Sequence, residues 1–402
     1  VKVIMLLGRS TGGIGTHVAE LSANLRGRGE DVIVVTHPLT AQRFDFGAVR
    51  LWWPGATGWV HGMRDFMQLR RLAATSDIVH AHGHQAAMLA LLATIGTRGL
   101  SSTEHAGGTV SGPERPRNGA AAVSGRVGQR PKVIVTQHNS VLAGSGRQSV
   151  KRLVQRWVAR HADLMTGVSR DLVEESLGFG ARRAELADVP SPRVPELLAQ
   201  PPADEPGRAR IRATLLASLG PGDTNFALPL VVTISRIAPQ KNLPVLVEAA
   251  SVMRHACTWV VLGDGEPELL AQLKIQVHAL GAPVHFAGAR SDAGRWLSAA
   301  EVFVLPSQWE GQPLVVQEAM AAGTPVVATD VGGMHDMVSG TGLLVIPGDP
   351  DAIAEATDRV LGDPDLRADL AARGRQVAEG LPNGHDTASK WLALYAETLR
   401  MT

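Results

Sequence analysis

An α/β protein built from two doubly wound domains with parallel sheets is predicted by three features of the 402-residue chain. Short apolar runs alternate with helical patterns from end to end, polar or glycine-rich loops follow the apolar runs, and one proline-rich stretch divides the series in two. The first series holds VKVIMLL, the helical THVAELSANLRGRG, DVIVVTH, and later DIVHAHG, PKVIVTQHN and LMTGVS. The second repeats the rhythm with LVVTISR, LPVLVEAASVMR, WVVLGDG, VHFAG, VFVLPS and PVVATD. Between them, VPSPRVPELLAQPPADEPGRAR (Val189 to Arg210) has the prolines and polar residues of an interdomain linker. The Gly-, Arg- and Ser-rich segment from Ser101 to Arg130 has no periodicity and reads as an excursion from the first domain. Open parallel sheets bind ligands outside the carboxyl ends of their strands, so two such domains facing each other would define one central cleft.

Composition narrows the function. A hydrophobic content of 45% supports full cores in a soluble globular chain. Cys257 is the one cysteine, so no intrachain disulfide forms and a reducing, cytoplasmic compartment is expected. The amino end, VKVIMLLGRSTGG, reads as a strand and loop and not as a signal peptide, and AAMLALLATIG (Ala86 to Gly96) is too short to span a bilayer. Charge is uneven: residues 1–212 carry 27 Lys and Arg against 17 Asp and Glu, whereas 213–402 carry 12 against 21. A first half at +10 facing a second at −9 favours an anionic partner, such as the surface of the inner membrane face; the alternative is an Arg-rich solvated face. No zinc-finger spacing, helix-turn-helix signature or aromatic-basic RNA motif is present, and no nucleic-acid partner is expected.

The stretch WEGQPLVVQEAMAAGTPVVAT sets two carboxylates, Glu310 and Glu318, in a run otherwise apolar or small. VFVLPS before it is a buried strand, which leaves Glu310 in a loop. Pro313 suits a first helical position, LVVQEAMAA reads as one short helix with Glu318 in its second turn, and Gly323 fits the left-handed residue that ends it. A helix N-terminus at the carboxyl end of a strand offers free N–H groups and suits phosphate. Flanking carboxylates suit hydroxyls, since an ionised carboxylate accepts two hydrogen bonds and a vicinal diol supplies two. A ligand with both phosphates and hydroxyls follows, namely a nucleotide sugar. The plainer alternative is a surface glutamate and a helix-dipole glutamate.

Three further patterns carry chemistry. GRSTGGIGTHVAEL follows the first strand and opens a helix, and its Gly12, Gly13 and Gly15 let backbone approach an anion, although no acidic residue follows the second strand as a dinucleotide site would require. In SRIAPQKN, Arg236 and Lys241 lie just beyond a strand end, where two cations suit a departing diphosphate; a solvated basic turn is the alternative. HAHGH places His80, His82 and His84 at alternate positions, which would suit metal ligands if the strand ran through Gly83. A turn at that glycine is favoured, so no metal is expected and His82 is taken as a cleft residue.

SRIAPQKN, VLGDGEPE, VHFAGAR, VLPSQWEGQPLVVQEAMAAGTPVVATDVGG and TGLLVIPGD resemble the serial motifs of the retaining GT-B glycosyltransferases of family 4, a group that includes bacterial phosphatidylinositol mannosyltransferases. The likeness is dense over residues 225–350 and thinner before, where it rests on GGIGTH, DIVHAHG and VTQHN. It implies two Rossmann-like domains: an acceptor-side domain at 1–200, rejoined by a carboxyl-terminal helix at about 385–402, and a donor domain at 208–384. It also implies a nucleotide-sugar donor, retained anomeric configuration and no obligatory metal or other cofactor. By motif, Glu310 is similar to the residue holding the donor sugar's hydroxyls and Glu318 to the one holding the ribose. Arg236 and Lys241 resemble the diphosphate clamp, the amides near Leu314 and Val315 the phosphate cradle, and Gly13 with Gly15 the loop closing over the diphosphate. Arg290 would lie near the base, His138 resembles the active-site histidine beside the transferred sugar, and His17 with His82 falls on the acceptor side. The chain departs from the pattern at ADVPSPRVP, where relatives often carry an Asn-Gly-Val-Asp turn.

The expected function is therefore retaining transfer of a hexose from a nucleoside-diphosphate sugar to a hydroxyl on a small molecule, glycan or lipid. A phosphorylase, a nucleotide-sugar epimerase or a non-catalytic nucleotide-sugar binder would share the fold. A phosphorylase should be much longer, and a binder should have lost Glu310, Arg236 or Lys241, all of which are present.

Overall fold

The computed structural model describes residues 1–54, 59–97, 130–139, 148–220, 225 and 227–401. Most of the excursion expected from Ser101 to Arg130 lies outside the described residues. Arg130, which is described, pairs with Asp163 at 3.0 Å.

The chain forms two compact units, Val1–Ala187 with His385–Thr402, and Asp188–Gly384. The first is built on seven strands, β1 (Lys2–Leu7), β2 (Asp31–Thr36), β3 (Val49–Leu51), β4 (Ile78–His82), β5 (Lys132–Gln137), β6 (Leu164–Gly167) and β7 (Ala184–Leu186). Their spatial order is β3-β2-β1-β4-β5-β6-β7, and every neighbouring pair is parallel. The second has six: β8 (Leu230–Ile234), β9 (Thr258–Leu262), β10 (Val284–Gly288), β11 (Val302–Leu305), β12 (Val326–Thr329) and β13 (Gly342–Val345). They run β10-β9-β8-β11-β12-β13, again all parallel. Parallel strands need crossovers, and helices packed on both faces bury nearly all of the central strands, which is why β1 is apolar after Lys2 and β8 is apolar but for the buried, hydrogen-bonded Thr233.

The carboxyl-terminal helix Gly384–Arg400 buries Trp391 and Tyr395 among Val3, Val18 and Leu21, in the core of the first unit. The linker expected at Val189 to Arg210 is instead part of the second unit, so the boundary falls after Ala187 and not near residue 200. Its prolines do not leave it loose, because they open the helices Val194–Ala199 and Glu205–Ala217 at their first turns. Val194 and Leu197 are buried against the cluster of Leu297, Val316 and Met320. Among the described residues no helix is long and apolar enough to cross a membrane.

Candidate active site

In the second sheet the strand order reverses between β8 and β11, and the crevice outside the carboxyl ends at such a reversal is where open α/β sheets take ligands. The loops leaving these two strands are tied together: Gln240 Nε2 donates to the Trp309 carbonyl at 2.7 Å and the Gln308 amide to the Gln240 carbonyl at 2.9 Å. Lys241 ends a 3₁₀ turn on one loop, Pro239–Lys241, and its Nζ pairs with Glu310 Oε1 on the other. The same oxygen accepts from Ser307 Oγ at 2.5 Å. Both side chains of the ion pair are enclosed, at 13% and 8% exposure. The Glu310 carbonyl accepts from the Gly333 amide at 2.9 Å, and a Cβ on Gly332, whose φ is +53°, would fall 2.1 Å from that oxygen. Glycine is needed there on both counts, close approach and left-handed φ.

Arg236, on the loop with Lys241, is exposed and has no side-chain partner among the described residues. Motif resemblance assigns the two cations one shared duty and Glu310 a separate one. The fold joins Lys241 to Glu310, because the carboxylate is buried and needs a countercharge within reach, and gives Arg236 no such partner among the described residues.

Helix Leu314–Ala321 follows. Pro313 precedes it in extended geometry (φ −70°, ψ 118°), one residue earlier than the first helical position expected of it. The amides of Leu314 and Val315 head the helix, where no intrahelical acceptor exists. Glu318 sits in the second turn, buried, its Oε1 accepting from Ser191 Oγ at 2.6 Å and its Oε2 facing Arg193 Nη1 at 3.5 Å. Burial raises its pKa above the usual carboxylate value, while Ser191 and Arg193 act to lower it. Arg290 turns to Ser218 Oγ (2.7 Å) and Asp292 Oδ1 (3.3 Å) and lies 5.6 Å from the Trp296 ring centroid. With Ser218, Lys274 and Phe286 it lines a cavity of about 370 Å³.

The first sheet reverses between β1 and β4. Helix Gly13–Gly27 begins after β1 with Gly13 exposed at its first position. Gly15 is different: its amide is held by Ser10 Oγ (3.1 Å) and the Gly12 carbonyl (2.9 Å), and a Cβ there would lie 2.3 Å from the Phe44 ring. The packing of Phe44 accounts for that glycine, so a free amide for an anion is not its contribution.

At the same edge four buried histidines assemble. The His82 and His138 rings stack at 5.3 Å with Nδ1 of the first 3.0 Å from Nε2 of the second, and His17 lies 5.8 Å from both. The His80 ring lies 4.3 Å from that of His82, tilted by 35°. Strand β4 ends at His82, Gly83 turns with φ +90°, and His84 opens the next helix, so the third histidine of HAHGH leaves the face. Among the described residues no group of three or more His, Cys, Asp or Glu is arranged to hold a metal.

His80 is anchored from both sides, Nδ1 to Tyr395 Oη at 2.8 Å and Nε2 to Thr136 Oγ1 at 2.7 Å. Thr136 in turn meets Thr166 Oγ1 at 2.8 Å, which donates to the Val135 carbonyl. A chain that ends on a carbonyl has one polarity, so Thr136 donates to Thr166, His80 Nε2–H donates to Thr136, and Tyr395 O–H donates to His80 Nδ1. Burial pushes His17 down to about 4 and His80 to about 3, and His82 and His138 well below the ordinary histidine value, with neighbouring rings adding to the effect in all but His17. The four are neutral imidazoles at neutral pH. The Nε2 atoms of His17 and His82 are buried with no hydrogen-bond partner among the described residues.

Sequence reasoning had not singled out Ser307, Ser191, Arg193 or the anchoring of His80. Ser307 directly follows the strand run VFVLP, a position that could have marked it.

The sequence matches the family described as glycosyl transferase 4-like domain over residues 12–192 and the one described as glycosyl transferases group 1 over residues 228–363. It is 34% identical over 229 residues to a D-inositol 3-phosphate glycosyltransferase of Jonesia denitrificans, covering 53% of this chain and 52% of that protein. It is also 34% identical over 193 residues to the lipopolysaccharide core biosynthesis glycosyltransferase LpsE of Rhizobium meliloti, covering 47% and 55%. The matches span little more than half the length of these curated relatives. Among solved structures, Anabaena HepE in complex with UDP-glucose superposes with a TM-score of 0.74 over 100% of both chains at 18% identity, a likeness of fold.

Proposed function

From the premise that this chain belongs to the GT-B glycosyltransferases of family 4, we propose that it transfers a hexose from a nucleoside-diphosphate sugar to an acceptor hydroxyl with retention of configuration. The observation that carries the proposal is the Lys241–Glu310 pair at the β8/β11 reversal, with Arg236, unpaired among the described residues, on the same loop. A carboxylate whose Oε1 is held by Lys241 and Ser307 keeps its other oxygen for sugar hydroxyls. Arg236, Lys241 and the amides of Leu314 and Val315 supply fixed positive charge for a diphosphate that gains charge as it leaves. Glu318 is assigned to the ribose, Arg290 to the base, Gly13 to the loop beside the diphosphate, His138 to the transferred sugar, and His17 with His82 to the acceptor side. HepE binds UDP and UDP-glucose, which makes a UDP-hexose the first donor to try.

In the step proposed, the bond from sugar C1 to the phosphate oxygen breaks as the acceptor oxygen bonds to C1 on the same face. The acceptor proton passes to the leaving phosphate oxygen. No general base is needed, and the cationic clamp takes the place of a divalent ion, so activity should survive EDTA. We further propose a reducing, cytoplasmic setting with peripheral contact to an anionic bilayer through the first unit. Helix Gln148–His161 exposes Lys151, Arg152, Arg156 and Arg160 beside Leu153, which is 62% exposed. Vesicles containing phosphatidylglycerol should sediment the protein, and Arg152→Glu/Arg156→Glu should abolish that.

The deciding experiment incubates the protein with a panel of nucleotide sugars and follows slow release of nucleoside diphosphate, then repeats it with Arg236→Ala. Release from one donor class that collapses in the variant supports a transferase. Binding without release points to a non-catalytic binder, and interconversion of sugars without release points to an epimerase.

A further inference from the structure

The segment ADVPSPRVP places two side chains, Ser191 and Arg193, directly on a site carboxylate, that of Glu318. Val189 and Ser191 are fixed to helix Leu314–Ala321 and to Gln312, two residues before it, independently of Glu318. The Val189 amide donates to Gln312 Oε1 at 2.8 Å, Gln317 Nε2 to the Val189 carbonyl at 2.8 Å, and the Ser191 amide to Gln317 Oε1 at 2.9 Å. Pro190 and Pro192 flank Ser191 and restrict the backbone further. The Arg193 amide donates to Ser191 Oγ at 3.3 Å, which leaves that hydroxyl's proton to point at Glu318 Oε1, 2.6 Å away. The hydroxyl's place and direction are thus set by the backbone, and the carboxylate follows it. On the other oxygen the Arg193 guanidinium stands at 3.5 Å and is 47% exposed.

We infer that Ser191 is the positioning residue for Glu318, with Arg193 as its weaker second support, so that this segment sets how tightly the protein reads the ribose diol of its donor. The inference rests on the assignment of Glu318 to the ribose. One protein donor on each oxygen leaves each an open lone pair, and a vicinal diol presents two hydroxyls to such a pair of acceptors. A carboxylate this enclosed would otherwise favour its neutral form, which accepts less well and cannot hold two hydroxyls in one plane. The two donors oppose that effect of burial and stop the carboxylate rotating.

The test is calorimetry with UDP, GDP and ADP, each compared with its 2′-deoxy counterpart, on the wild type, Glu318→Gln, Ser191→Ala, Ser191→Thr, Arg193→Gln and Ser191→Ala/Glu318→Gln. The wild type should prefer the ribonucleotide by about tenfold or more, the scale of one hydrogen bond to a charged acceptor. Ser191→Ala should shrink the ratio at least about threefold, Arg193→Gln should shrink it less, Ser191→Thr should keep it, and the double variant should match Glu318→Gln. A merely structural serine would lower melting temperature without moving this ratio. If Glu318→Gln discriminates as the wild type does, the ribose assignment fails and takes the inference with it. If Glu318→Gln loses discrimination while Ser191→Ala and Arg193→Gln keep it, the assignment stands and the inference is overturned.

Discussion

Lys241 and Glu310, 69 residues apart in sequence, form an enclosed ion pair at the point where the second sheet reverses its strand order. Removing one member leaves a buried charge with reduced compensation, which costs far more than the pair contributes. Lys241→Ala should therefore destabilise the second unit by about 3–5 kcal/mol as well as slow turnover, and Lys241→Met/Glu310→Gln should recover most of the stability but none of the activity. Urea unfolding of the single and double variants measures the first part. A single variant as stable as the wild type would mean the pair is not closed in solution.

Arg236 should behave in the opposite way. Its side chain is exposed and unpartnered among the described residues, so Arg236→Ala should change stability by no more than about 0.5 kcal/mol. Turnover with a nucleotide sugar should nonetheless fall on the order of a hundredfold, the cost of one preorganised charge at a developing anion. Equal effects on turnover from Arg236→Ala and a distant surface Arg such as Arg359→Ala would remove Arg236 from the clamp.

The contrast marks how far the sequence could reach. Strands such as β1 and β8 were legible because both faces are covered and all but one residue of each, Lys2 and Thr233, is apolar. The edge strands β3 (Val49–Leu51) and β7 (Ala184–Leu186) were not, since each has three residues and is partly or fully exposed. The proline-rich connection read as a linker because Pro and polar residues dominate it, while its place in the second unit depends on two apolar residues, Val194 and Leu197, finding a core far along the chain. At the site, residue types just beyond strand ends picked out Arg236, Lys241 and Glu310, and the short helix that follows picked out Glu318, as candidates. Which of them touch was out of reach, because Lys241–Glu310 and Ser191–Glu318 are contacts across 69 and 127 residues that no local pattern encodes.

Gly15 gives a test in which packing and ligand binding make different forecasts. A Cβ there would press into the Phe44 ring at 2.3 Å, so Gly15→Ala should cost about 1–3 kcal/mol from overpacking. Gly15→Ala/Phe44→Leu should recover much of that, since the smaller side chain vacates the space. Nucleoside diphosphate affinity should follow stability through both variants. If Gly15→Ala/Phe44→Leu were stable but bound the diphosphate about tenfold more weakly, the glycine would owe its place to the anion and not to Phe44.

The buried histidines make stability depend on pH in a defined direction. His17 and His80 are held down to about 4 and about 3 from an ordinary value of 6.5, mainly by desolvation, and His82 and His138 are lowered for the same reason. Below about pH 6.5 the unfolded chain takes up protons at these positions and the folded chain does not, so the unfolded state binds more protons and stability rises with pH. Their neutral burial costs nothing above the unfolded value and grows as pH falls from about 6.5 towards the folded values. Each histidine neutral in the fold and charged when unfolded adds up to about 1.4 kcal/mol per pH unit to that slope. Melting temperature should thus drop steeply between pH 7 and pH 5. His17→Asn should shallow the slope by about one proton's worth while leaving stability near pH 8 less affected, because His17 Nε2 has no hydrogen bond to lose. A wild type equally stable at pH 5 and pH 7 would mean the cluster is open to water and protonates in the folded state.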